Sequence, residues 1–394
     1  MSSDYSFDEI FDRVATRSSK WTLLESGFGL AGDDLLPMWV ADMDFRAPGF
    51  LADAVRAVAD GGDLGYFAHH DTYRDAVCWW ARERHGWAIE PSWITPAASL
   101  GNAIAFAIQT WTAPGDAVAI FTPVYHEFAI KIDKNGRTVT ELPLAVEAGR
   151  FVLDFARYDG LMTGREKMLI LSSPHNPGGR VWTADELSAI ADFCARHDLV
   201  LISDEVHNDL VMPGFRHVPT ALAAPEVTSR LVTMTSASKT FSIAGTRLGA
   251  VIIGDERLRA QFADTVSRAD LYPNLFGVVL SRAAFSPEGA AWVDALVSYL
   301  AGNVAAFSAG IEAIPGASMH ALEGTYLAWV DFSGTGMTDE ELWARVTGKA
   351  RVVPSPGPQF GTGGAQGLRF NLGTQRARVE EAVARLKGAF ADLQ

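Results

Sequence analysis

Short runs of consecutive apolar residues alternate along this chain with longer stretches whose apolar residues recur every three or four positions. The runs Ala117–Thr122, 167–173, 199–203, Leu231–Thr235 and 248–253 read as strands. They lack the in–out alternation of a half-solvated strand, so both of their faces are expected to be covered. Between them, residues 184–197 carry Leu187, Ile190, Ala191 and Cys194 at helical spacing, and Thr183 with Glu186 forms a capping box at the start. Residues 51–59, 72–85 and 103–110 read as earlier helices, the last opened by Gly101 and Asn102. Strands separated by helices predict an α/β fold: a mainly parallel sheet in three α/β/α layers, with ligands at the strands' C-terminal ends.

The two ends of the chain have a different texture. Residues 1–45 alternate short polar runs with Gly and Pro and read as an arm packing on a smaller domain. After about residue 290, a long helix (293–313), a strand (325–332), a Pro/Gly-rich loop (354–367) and a closing helix (378–390) suggest a smaller α+β domain. The expected division is 1–45 arm, 46–288 large domain and 289–394 small domain.

Composition narrows the function classes. The 394 residues include 47 Asp plus Glu against 33 Lys plus Arg, a formal net charge of −14. That balance argues against nucleic acid and acidic membrane surfaces as partners. No stretch reads as the roughly 20 apolar residues of a membrane span. Residues 1–11 are polar and acidic, so no secretory leader is expected and a cytoplasmic location follows. Cys78 and Cys194 are too few for a disulfide framework or a four-cysteine metal site, and no metal is expected.

The stretch Gly27-Phe-Gly-Leu-Ala-Gly32 formally matches a dinucleotide fingerprint, but neither the preceding strand nor the following helix is there. Three other clusters sit at expected strand ends. Ser236-Ala-Ser-Lys239-Thr-Phe-Ser-Ile-Ala-Gly-Thr-Arg247 puts an amine beside the hydroxyls of Ser236 and Ser238 and the cation of Arg247. Such a set can cradle a phosphate next to an imine-forming lysine, or be a solvated surface. Ile202-Ser-Asp204-Glu205-Val-His207 ends an apolar strand with two acids, either a solvent-facing cap or a carboxylate for a protonated ring nitrogen. Ser172-Ser-Pro-His-Asn176-Pro-Gly-Gly179 makes a tight turn in which Asn176 is structural or a hydrogen-bond donor.

In this order, SSPHNPGG, ISDEVH and SASKTFSIAGTR, followed by Arg369 in GLRFNLGT, resemble the fold-type I pyridoxal-phosphate (PLP) enzymes, the aspartate-aminotransferase-like group. Lys20-Trp21, Leu36-Pro-Met-Trp-Val-Ala-Asp-Met-Asp-Phe45, Gly65-Tyr66 and Asp204-Glu-Val-His207 resemble the MalY/PatB group of cystathionine β-lyases. The resemblance covers essentially the whole chain. It implies that Lys239 carries PLP, that Asp204 pairs with the pyridine nitrogen, and that Asn176 donates to the ring's phenolic oxygen. It implies that Tyr125 stacks on the ring, with His207 beside it or filling space. It puts the phosphate near Ala98, Ser99, Ser236, Ser238 and Arg247, with Tyr66 reaching over from a second subunit of a homodimer. Arg369 would clamp the substrate carboxylate, with Asn176 and the backbone of Ala41 nearby. His126, His175 and Trp39 flank these motifs, as cavity wall or as packing.

The implied activity is β-elimination from cystathionine or a related cysteine S-conjugate, giving thiol, pyruvate and ammonia. An aminotransferase is the alternative, because it shares the residues and because Arg247 is typical of aminotransferases. A purely non-catalytic partner protein is disfavoured by the presence of both Lys239 and Asp204. Two further departures from the pattern are Thr95-Pro-Ala-Ala-Ser in place of a Gly-containing turn, and Gln375 where a Pro is common.

Overall fold

A computed structural model describes residues 5–68 and 70–393. The first four residues of the polar, acidic stretch 1–11 lie outside the described residues. Seven strands form the central sheet: β1 (Ile94–Ala97), β2 (Ala117–Thr122), β3 (Thr138–Pro143), β4 (Glu166–Ser172), β5 (Val200–Asp204), β6 (Leu231–Thr235) and β7 (Gly249–Ile252). Their order is β1-β7-β6-β5-β4-β2-β3. Only β7 runs against its neighbours, being antiparallel to both β1 and β6.

Each run of buried residues splits between two cores because strand side chains alternate faces. Val118 and Ile120 of β2 join a core with Ala103, Ile104, Ala107 and Ile108 of the helix Leu100–Trp111. Ala119 and Phe121 join the opposite core, with Leu187, Ile190 and Cys194 of the helix Ala184–Arg196. Burying each such large side chain stabilises the fold by roughly 1.5–3 kcal/mol. The capping box of Thr183 and Glu186 is present.

The sheet register aligns the strand ends. Ser172 of β4 lies opposite Asp204 of β5, and Asp204 lies opposite Met234 of β6. The turns after β1, β2, β4, β5 and β6 therefore leave the sheet on one edge, where a parallel sheet gathers its ligands.

A second, four-stranded antiparallel sheet has the order β8-β9-β11-β10, with β8 at Ser318–Met319, β9 at Leu327–Asp331, β10 at Ser355–Pro356 and β11 at Gly367–Asn371. The expected loop over 354–367 thus contains a short strand and a helical turn, Gly357–Phe360. Pro356 is compatible with pairing because β10 is an edge strand. The helix Pro287–Glu312 is longer than expected, and by length and composition alone it could cross a bilayer. Here Trp292, Val293, Leu296 and Leu300 pack in one core and Phe307 and Ile311 in another, while the buried Asn303 donates to the carbonyls of Leu372 and Thr374.

The N-terminal arm is stitched to this second sheet region. Leu36–Pro37 pairs in parallel with Val352–Val353, and Asn371 Nδ2 donates to the carbonyls of Val40 and Asp42. Lys20, fully buried, bonds Asp44 at 2.7 Å, and the Trp21 indole donates to the same carboxylate at 2.8 Å. Gln375 Nε2 donates to the carbonyls of Glu9 and Asp44. Its φ of −59° is one a Pro would share, but a Pro has no such side chain to hold the arm.

Candidate active site

Two joined cavities open along the C-terminal edge of the central sheet. One, of about 550 Å³, is walled by Ser99, Asn102, Ser236, Ser238 and Arg247. The other, of about 430 Å³, is walled by Phe28, Trp39, Ala41, Asn176, His207, Ser355 and Arg369. Tyr125, Glu127, Asp204, Val206 and Lys239 line both, so the lysine and the aspartate stand at the junction.

Local sequence builds the first cavity. Ser99 caps the helix Leu100–Trp111, its hydroxyl accepting from Asn102 N at 3.1 Å. The N-terminus of this twelve-residue helix therefore faces a cavity that also holds a cation, a setting suited to an anion. Ser236 does the same for the short helix Ala237–Thr240, accepting from Ser238 N and donating to Leu248 O at 2.7 Å. Both hydroxyls are thus engaged in shaping the backbone. Arg247, held at φ +51°, is exposed and lines the wall, with no carboxylate within 4 Å among the described residues. Ala98 lies just outside that wall, and Tyr66 is fully exposed, away from both cavities.

At the junction, burial pushes the Lys239 amine down to about 8, against the pull of Asp42 and Asp204. The amine donates to Ala41 O at 2.8 Å, so this carbonyl serves the lysine. Burial raises the Asp204 carboxyl to about 7, although Val206 N donates to it. A cation at the open side of this carboxylate would restore its ionisation. Glu205, its neighbour, turns away and accepts from Ser203, Thr220 and His217. His207 is buried and its imidazole is held neutral by burial and by the charges of Lys239 and Arg369. Its ring meets Tyr326 edge-on at 6.0 Å. Burial lifts the Tyr125 hydroxyl to about 12.

Distant segments build the second cavity. Arg369 on β11 pairs in register with Ser355 on β10. Its guanidinium donates to Asn176 Oδ1 at 2.8 Å, Trp39 O at 2.6 Å and Ser355 Oγ at 3.0 Å, and lies 5.0 Å over the Phe360 ring. No carboxylate lies within 4 Å of it among the described residues, and its buried Nε has no partner. Because the arginine can only donate, Asn176 must present its oxygen there, which leaves its amide nitrogen for another acceptor. Trp39 serves as both wall and packing: it lines the cavity while its indole donates to Lys20 O. His126 also lines the wall. His175 is a buried packing residue, pushed down to about 3 by burial, that accepts from Gly178 N. Gly27 and Phe28, of the false dinucleotide match, belong to a short helix at the cavity rim.

In the sequence, neither Ser355 nor Asp42 stands out as a site residue, and Asn102 does so only as the opening of a helix. Asp42 accepts from Ser242 and Arg13 beside the lysine, and Asn102 Oδ1 is buried without a partner. The unsatisfied Asn102 Oδ1, His207 Nδ1 and Arg369 Nε all belong to residues on these walls, as expected where a polar molecule completes the hydrogen bonding. An amine, a buried carboxylate, an aromatic ring and an anion cradle within one cleft fit PLP.

The family comparisons agree with this geometry. The model for aminotransferase class I and II matches residues 50–386. Cystathionine β-lyase PatB of Bacillus subtilis (strain 168) is 37% identical over 98% of this chain and 100% of its own. The protein MalY of Escherichia coli (strain K12) is 30% identical over 98% of both. The structure of cystalysin from Treponema denticola, which contains a pyridoxal 5'-phosphate cofactor, superposes with a TM-score of 0.94 at 32% identity, covering 99% of this chain and 100% of that one. With the lysine, the aspartate and the arginine brought into one cleft and likeness running the full length, the chain belongs to the aminotransferase class I and II family, in the company of the PatB and MalY cystathionine β-lyases.

Proposed function

We propose that this protein is a PLP-dependent carbon–sulfur β-lyase that cleaves cystathionine or related cysteine S-conjugates to a thiol, pyruvate and ammonia. The observation that carries this most directly is the meeting of Lys239, Asp204 and Arg369 around two joined cavities. PLP, when bound, supplies an electron sink for the charge that develops at the substrate's Cα.

The chain's own groups do the rest. Lys239 would hold the cofactor and would move the proton at Cα; burial, which brings its amine to about 8, suits a base close to neutral pH. Asp204 pairs with the ring nitrogen, which returns its carboxyl to the ionised form. Tyr125 stacks on the ring, and Asn176 and His207 flank its polar edge. The helix start at Leu100, with Ala98, Ser99, Ser236, Ser238 and Arg247, takes the phosphate. Arg369 clamps the α-carboxylate of the amino-acid substrate as a fork, braced by Ser355, Asn176 and the Trp39 carbonyl. The exposed Tyr66 fits a homodimer in which it completes the partner's phosphate site. A cytoplasmic enzyme with both cysteines free completes the reading.

The test is purified protein with PLP and L-cystathionine, following pyruvate, free thiol and the cofactor's visible absorbance. Pyruvate and thiol without added keto acid are expected. Turnover only with a keto acid would make it an aminotransferase, the role that Arg247 favours. Absence of cofactor absorbance after PLP addition would overturn both.

A further inference from the structure

Beneath the strand ends that carry Asp204 and Lys239 lies a buried polar cluster with no part in the proposed chemistry. Asp209, in the turn after β5, is 7% exposed. Its Oδ1 accepts from the Trp80 indole at 2.9 Å and lies 2.9 Å from His85 Nε2. Its Oδ2 accepts from the Thr240 hydroxyl at 2.8 Å. Thr240 is fully buried and directly follows Lys239, while Trp80 and His85 come from the helix His70–His85. Glu205, beside Asp204, is enclosed likewise by Ser203, Thr220 and His217. The His85 and His217 rings meet edge to face at 5.7 Å.

Both carboxylates stay ionised. Burial works against this, but hydrogen bonds and charge from His217 and from His85 bring Glu205 and Asp209 below the usual carboxylate range. Burying two ionised carboxylates is costly unless every lone pair is matched, and apolar residues could fill the same space. Their placement beside the two central groups of the site is therefore informative. The helix that carries Lys239 spans only Ala237–Thr240, too short to hold its own shape. Ser236 fixes its start and Thr240 its end.

We infer that Asp209, braced by Trp80 and His85, is a positioning residue that sets the lysine through Thr240. This rests on the proposed role of Lys239. The amine's charged neighbours Asp42, Asp204 and Arg369 are untouched by changes at Thr240 or Asp209, so an effect there would come through position.

The experiment compares holoenzyme of wild type, Thr240→Ala, Thr240→Ser and Asp209→Asn. It reads thermal melting, kcat, KM and the pH titration of the bound cofactor's visible absorbance. Thr240→Ala and Asp209→Asn are expected to lower kcat about 10-fold, at the low end for loss of an orienting partner, with KM within about 2-fold. Both should move the midpoint of the absorbance titration, and Thr240→Ser should restore rate and titration. Wild-type kcat and titration in Thr240→Ala would overturn the inference, as would a Thr240→Ser variant as impaired as Thr240→Ala. Should Thr240→Ala fail to fold, Asp209→Asn decides alone: an unmoved titration overturns the inference, a moved one supports it. A wild type that takes up no cofactor would instead overturn the proposed function and this inference with it.

Discussion

The two halves of the cleft are made in opposite ways. The half proposed for the phosphate comes from compact stretches of chain, Ser99–Asn102 and Ser236–Arg247, each running from a strand end into a helix start. The half proposed for the substrate carboxylate is assembled from the arm, the turn after β4 and the second sheet: Trp39, Asn176, Ser355 and Arg369 meet from positions as far as 330 residues apart. The first is organised by backbone capping, the second by side-chain and carbonyl acceptors around one buried guanidinium. A local site survives local change, whereas a composite site depends on every element that delivers a piece of it.

The largest effect should come at the junction. Lys239→Ala removes the group that both halves share, and pyruvate formation should fall to background while melting stays near wild type. Next is the arm. Lys20→Met leaves the buried Asp44 short of its main cation and should cost about 3–5 kcal/mol. By loosening Trp39 and Ala41 it should raise KM more than it weakens PLP binding, and equal losses in both would break the comparison.

Asp204 gives a pH-dependent effect on cofactor-free protein. Its folded carboxyl titrates near 7, above the ordinary unfolded range near 4, so the folded state binds the proton more tightly. Stability from this group is full below about pH 4 and is lost as pH rises to about 7, by up to about 4 kcal/mol. Asp204→Asn should therefore melt higher than wild type at pH 8, with the gap narrowing at pH 5. A gap independent of pH would contradict this.

Arg369→Lys should raise KM about 100-fold with PLP affinity intact, because an ammonium cannot form the planar fork. Smallest, Arg247→Ala should weaken PLP about 10-fold, and excess PLP should recover the rate. If excess PLP rescued Arg369→Lys as well, the two ends would not be separate sites.

Much of the cleft could be read in the sequence because its chemistry sits at strand ends, and strand ends announce themselves where an apolar run stops. Asp204 ends such a run, and Asn176 and Lys239 stand a few residues beyond one. Ser355 gave no signal, being a serine in a Pro/Gly-rich stretch, and Asp42 lay in the Leu36–Phe45 motif with nothing to set it apart from Asp44 as a neighbour of the lysine. The expected loop at 354–367 hid a strand because a two-residue pairing leaves no periodicity to detect. The long helix read as 293–313 begins at Pro287, where Ser286 caps it.

The sequence by itself determined the alternation of buried strands and amphipathic helices, and with it the parallel sheet and the edge where ligands gather. It also singled out Lys239, Asp204 and Asn176, which line the cleft, through motifs whose spacing is local. Tertiary structure alone decided that Ala41 O receives the lysine amine, that Asn176 turns its oxygen to Arg369, and that Asp209 reaches Thr240. Periodicity reports only which face of an element is buried. Hydrogen bonds between segments hundreds of residues apart depend on how those faces dock, and that is set by packing the whole chain at once.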